Sequence, residues 1–102
     1  MADGSTAISV TLRERDGRYG AFNSCAAAAQ KLKAAMGAGY NWPYLDADMR
    51  EALELIATKI ARILNGDPDK SDSWHDIAGY ARLVEERLLR EQAEAIDPDE
   101  VD

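Results

Sequence analysis

Lys59 and Arg62 stand three residues apart, Asn65 follows by three more, and Asp67, Asp72, Asp76 and Tyr80 come within the next fifteen residues. On a helix, Lys59 and Arg62 project from adjacent turns of one flank. A guanidinium grips phosphate oxygens through paired hydrogen bonds, and an ammonium beside it adds a point charge. Asn65, Asp72 and Asp76 offer partners for ribose hydroxyls or a base edge, and a tyrosine ring stacks on a base. Each residue also has a plainer account. Arg62 pairs with a nearby acid, Lys59 lays its stem along apolar surface, and aspartates cap helix starts. Their collection around one turn points to a small-molecule recess for a nucleotide.

Other chemistry is weaker. Asp67, Asp69, Asp72 and Asp76 lie within ten residues, and such acids either gather oxygen ligands for Mg2+ or cap helices. Ser73 with Asp76 reads as a capping box, which leaves Asp72 least explained by capping. His75 has no second histidine and only one distant cysteine for company, so zinc is not expected. Cys25 sits in an apolar stripe and no Ser–His pairing is suggested, so no catalytic nucleophile is assigned. Gly79 weakens its helix by about 1 kcal/mol relative to alanine. A glycine there makes room, for another helix or for the edge of a ligand.

The elements that must position these groups read as helices. Residues 47–64 place Met49, Leu53, Ile56, Ile60, Ile63 and Leu64 on one broad apolar stripe, behind Asp46 as N-cap and with Asp48 and Glu51 near the positive end. Asn65-Gly66 ends that helix, glycine being able to adopt the left-handed conformation, and Asp67-Pro68 prevents immediate continuation. A third helix is expected over about residues 74–92, with Trp74, Ile77, Ala81, Val84 and Leu88 as its core stripe. Asp76, Tyr80, Leu83 and Arg87 form a separate mixed stripe. The two helices then run antiparallel, which brings Lys59, Arg62 and Asn65 to the same end as Asp72, Asp76 and Tyr80.

Upstream, residues 21–36 (AFNSCAAAAQKLKAAM) favour a thin helix stopped by Gly37 and Gly39. Residues 7–14 fit a short strand or a helix start equally, and the turn over residues 15–20 carries Tyr19 and Gly20. The segment 40–45 (YNWPYL) holds three of the seven aromatics; Trp42 and Tyr44 read as covers for the ends of a small core. The fold class expected is all-α, a three-helix antiparallel bundle. Stripes this narrow are completed by homo-oligomerisation.

At 102 residues the chain fits one domain, residues 1–90 with 1–6 flexible, followed by an acidic disordered tail over 91–102. Six of the 19 acids lie in that tail, so 13 acids face 12 bases in the body. A nearly neutral body argues against general nucleic-acid binding. One cysteine suits a reducing cytoplasm. No apolar run reaches the roughly 20 residues that cross a bilayer, and no signal pattern opens the chain. A cytoplasmic protein is expected, with no membrane contact.

Residues 18–22 (RYGAF), 51–54 (EALE), 59–68 (KIARILNGDP) and 72–80 (DSWHDIAGY) resemble a group of small helical proteins encoded by bacteriophages and prophages, over roughly residues 12–90. More distantly, the chain is similar to nucleotide-modification-associated domains and to MazG-like all-α nucleoside triphosphate pyrophosphohydrolases. The MazG-like pattern is ExxE on one helix and ExxD on the next. Glu51 and Glu54 match the first half, whereas Asp72 and Asp76 stand one residue further apart than the second half requires. In that alternative, Glu51, Glu54, Asp72 and Asp76 hold Mg2+ for pyrophosphate release. Phages also encode compact oligomers that sequester nucleotide second messengers of bacterial immune systems, and the chain is similar to these in size and helical character. The leading expectation is therefore a phage-type nucleotide-binding sponge in the bacterial host cell, with no cofactor and no catalytic residue. Its ligand-binding set is Tyr19, Gly20, Lys59, Arg62, Asn65, Asp72, Asp76 and Tyr80.

Overall fold

A computed structural model of the protein describes residues 21–95, which are helical, with no strand among them. Helix α1 covers 21–37, α2 runs Ala47–Asn65 and α3 runs Ser71–Ala95. The element expected at 7–14, the turn with Tyr19 and Gly20, and residues 96–102 lie outside the described residues. Of the acidic segment, residues 91–95 continue α3.

Helix α1 ends where its glycines are, and residues 38–46 carry the chain back to α2 through a single 3-10 turn, Trp42–Tyr44. Arg50 ties that turn down by donating from Nη2 to the Pro43 carbonyl at 2.7 Å. Trp42 is half-buried, but Tyr44 is 76% exposed and its ring tilts against Tyr40 at 6.2 Å between centroids. Trp42 is thus partly covered, and Tyr44, expected to cover the end of the core, does not. Pro43 fixes the tight turn, and that turn aims Tyr44 outward.

Asp46 occupies the N-cap of α2, yet its side chain makes no capping bond. Its carboxylate accepts instead from Arg87 Nη2 at 3.0 Å. Helix α3 begins at Ser71, so Ser73 and Asp76 lie inside its first turns and the expected capping box is not formed at the helix start. Ser71, Asp72 and Ser73 are all good capping types, and sequence spacing alone does not choose among them.

Gly66 follows α2 with φ −139° and ψ −141°, outside the left-handed region. Close approach, and not handedness, is what requires glycine here. A Cβ at this position would stand 2.9 Å from the Arg62 carbonyl oxygen, nearer than side chains tolerate against backbone. At Gly79 the reverse holds: an added Cβ would meet nothing within 4 Å, so no helix of the described residues packs there.

Helices α2 and α3 pack along their length. Asp48 precedes Lys59 by eleven residues on α2 and Asp76 precedes Arg87 by eleven on α3, about three turns in both cases. Antiparallel helices in register therefore pair both couples on one flank, and both pairs are present. The opposite flank of the seam is apolar. The side of α2 turned away from α3 carries Ala57 and Ala61, 1% and 0% exposed. Small side chains let the helices come close but bury little area. The buried residues among those described are all alanines, Ala29, Ala52, Ala57 and Ala61. Of the stripe expected to form the core, Leu53 and Leu64 are exposed and the rest half-buried.

Candidate functional site

The end of α2, the turn into α3 and the start of α1 enclose an open recess of about 400 Å3. Its basic side comes from Lys59 and Arg62 on α2 and from Lys70 in the turn; its polar side comes from Asn65, Asp67, Asp72 and Ser73. Ala21, Phe22 and Cys25, from the first turns of α1, supply the apolar wall. This meeting follows from the connection: α1 and α2 are antiparallel, so the start of one stands beside the end of the other.

The turn is held by its own hydrogen bonds. Asp67 Oδ1 accepts from the Asp69 backbone N–H at 3.0 Å, an Asx turn of the kind this residue favours. Trp74 donates its indole N–H to the Pro68 carbonyl at 2.9 Å. Asn65 Nδ2 donates to the Ala61 carbonyl at 2.9 Å, which uses one of its two amide N–H donors and leaves the other, with the side-chain oxygen, for the recess.

Charge is arranged unevenly around that space. Lys59 Nζ lies 2.8 Å from Asp76 Oδ2 at the inner edge. The bond from Lys59 holds the Asp76 carboxyl below its ordinary value of 3.8, with some opposition from desolvation and further lowering by the charges of Lys59, His75 and Arg62. Arg62 and Lys70 form no ion pair among the described residues. The recess thus holds two cations outside any ion pair among the described residues and a third already committed to Asp76.

Of the residues singled out from the sequence, Lys59, Arg62, Asn65 and Asp72 come together here. Asp76 does not line the recess; it lines the groove of His75, Gly79 and Tyr80 and touches the recess only through Lys59. Tyr80 lies a turn further along α3 and lines two neighbouring shallow grooves, one with His75 and Gly79, the other with Glu51 and Leu55. Tyr19 and Gly20 fall outside the described residues. The four acids of the alternative metal set are dispersed: Glu51 faces the Tyr80 groove, Asp72 the recess, Asp76 is paired with Lys59, and the half-buried Glu54 lines neither the groove nor the recess. Among the described residues no three His, Cys, Asp or Glu side chains gather closely enough to hold one metal ion.

Sequence reasoning did not place Phe22, Cys25 or Lys70 in the site. The first two are legible once α1 and α2 are known to be antiparallel. Lys70 is the lone base of an acidic turn and was hidden by its neighbours.

The sequence profile described as Domain of unknown function (DUF6378) matches residues 5–88. The chain belongs to that family. No curated protein and no solved structure matches it. Every residue that lines the recess falls within the DUF6378 match, as do the whole of α2 and Arg87 with Asp46 and Asp48. No helix among the described residues is long and apolar enough to cross a membrane.

Proposed function

We propose that this DUF6378 chain is a small nucleotide-binding protein that holds a nucleotide-derived anion at the α2–α3 turn without cleaving it. The observation that carries this reading is the grouping of Lys59, Arg62 and Lys70 around one recess, with Arg62 and Lys70 unpaired among the described residues. Lys59, Arg62 and Lys70 are matched in number by Asp67, Asp72 and the Asp76 bonded to Lys59, so what suits an anion is the placement of Arg62 and Lys70 outside any ion pair among the described residues. Its volume falls in the range of ordinary ligand pockets. Phosphate oxygens pair with Arg62 and Lys70, and Lys59 joins by sharing itself with Asp76. Phe22, 69% exposed at the mouth, offers a flat apolar face to a base. Asp72 and the Asn65 oxygen accept from ribose hydroxyls.

Retention without turnover suits sequestration. Nucleotide second messengers of bacterial immunity are ligands of this chemistry, and a phage-borne sponge is the setting that the sequence resemblance implies. The reading includes self-association, since the chain alone buries only alanines completely among the described residues.

The test is retention. Purified protein is incubated with cyclic dinucleotides, cyclic ADP-ribose isomers and ordinary nucleotides, with and without Mg2+, then freed of unbound material and denatured. One compound recovered intact, at a yield independent of Mg2+, is the expected result. Release of nothing from any member of the panel, or of monophosphate and pyrophosphate, would sink the reading.

A further inference from the structure

The α2–α3 pair has one flank that its charges close and one that nothing described covers. On the second flank Leu45, Met49, Leu53 and Ile56 of α2 and its approach face Ala81 and Val84 of α3 across a groove of about 260 Å3 without a charged lining residue. Leu53 is 41% exposed and Leu64, one turn beyond Ile60 on the same side, 68%. Trp74 and Ala81 are the exposed members of the facing stripe on α3.

We propose that this flank is the contact between two copies of the chain, which associate as a two-fold dimer. This takes up only the self-association in the functional reading and does not depend on what the recess binds. Three observations select a second copy as the occupant. First, spacing on both helices is the alternating three and four of bundle packing: Met49, Leu53, Ile56, Ile60 and Ile63 on α2, Trp74, Ile77, Ala81, Val84 and Leu88 on α3. Two helix pairs laid face to face give those stripes the four-helix core that one pair lacks. Second, no large side chain among the described residues is fully buried, whereas a domain of this size needs such burial for stability. Third, the area is adequate. A face about 28 Å long and two helices, about 20 Å, wide has a footprint of about 560 Å2. Side-chain corrugation raises the accessible area lost toward the roughly 800 Å2 per partner of a stable interface.

Light scattering and sedimentation at tens of micromolar read the outcome. The wild-type chain is expected at twice its 11.2 kDa mass. Leu64→Lys and Leu53→Lys each weaken the dimer by about tenfold or more while keeping helical circular dichroism. Leu83→Lys, on the opposite flank, leaves the mass unchanged. Leu64 is mostly exposed, so Leu64→Lys stays folded even where Leu53→Lys does not, and it decides alone in that case. A wild-type monomer at these concentrations overturns the proposal, as it would if residues 1–20 of the same chain covered the flank. A dimer that survives Leu64→Lys but dissociates with Leu83→Lys overturns it too.

Discussion

The two ends of the α2–α3 pair use the same residue types to opposite effect. Where α2 begins, Arg87 reaches from α3 to Asp46 and Asp48 and also holds Glu91, with contacts of 3.0, 2.5 and 2.9 Å. Its guanidinium is raised above the ordinary arginine range, chiefly by the bond to Asp48, and the Asp48 carboxyl is lowered in return. Where α2 ends, Lys59 has one carboxylate, and Arg62 and Lys70 have none among the described residues. The first end is a clamp in which every fork of the arginine is spent on the chain itself. The second leaves donors directed at a recess. Arginine next to acids is therefore no indicator of a site.

That contrast can be broken by changing either end. Ala61→Leu has the largest expected effect, because Ala61 is 0% exposed and lies one residue before Arg62 at the recess. Overpacking there costs about 1 to 3 kcal/mol and disturbs the recess. Thermal melting should fall, and any nucleotide retention should fall with it. Gly66→Ala comes next. Its Cβ would crowd the Arg62 carbonyl, and a loss of about 1 kcal/mol in a melt, together with weaker ligand retention, is expected. A melt as stable as wild type would show that the α2 terminus can rearrange freely.

Arg87→Gln sharpens the comparison from the clamp side. It should lower the melting temperature modestly, since these groups are exposed, and leave the recess intact. Acid gives the smallest effect. Asp48 and Asp76 both titrate below their ordinary value of 3.8 in the folded chain. Their contribution is therefore complete above that value and is lost as pH falls through the lower, folded values. Melting temperature should be flat from about pH 5 to 8 and drop below about pH 4, less in Arg87→Gln than in wild type. An unchanged slope in the variant would argue that Asp48 is not a principal source of the acid response.

Much of this was legible in the residues themselves. Asp46 and Gly66 bracket α2 where expected, although Asp46 makes no capping bond and Gly66 is not left-handed, and antiparallel geometry then brought Lys59, Arg62, Asn65 and Asp72 together. The partner of Arg87 was legible as well, in the equal eleven-residue spacings, but only if both helices are considered at once. What could not be read was how far side chains are covered. Apolar periodicity marks Leu53 and Leu64 as core, yet coverage depends on a neighbour that sequence spacing does not supply. The expected core stripe is half-open, and the alanines beside it are the residues actually buried. Tyr80 was drawn into the site by sequence proximity, although one helical turn suffices to carry it to another groove.

Calorimetric titration of whichever nucleotide the wild-type chain retains, repeated on Arg62→Ala and Arg87→Ala, tests the contrast most directly. Loss of a charge-assisted phosphate contact should weaken binding about tenfold or more in Arg62→Ala with little change in melting. Arg87→Ala should bind nearly as wild type while melting earlier. Equal affinity in Arg62→Ala and wild type, or a larger loss of affinity in Arg87→Ala, would contradict the assignment of the recess as the ligand site.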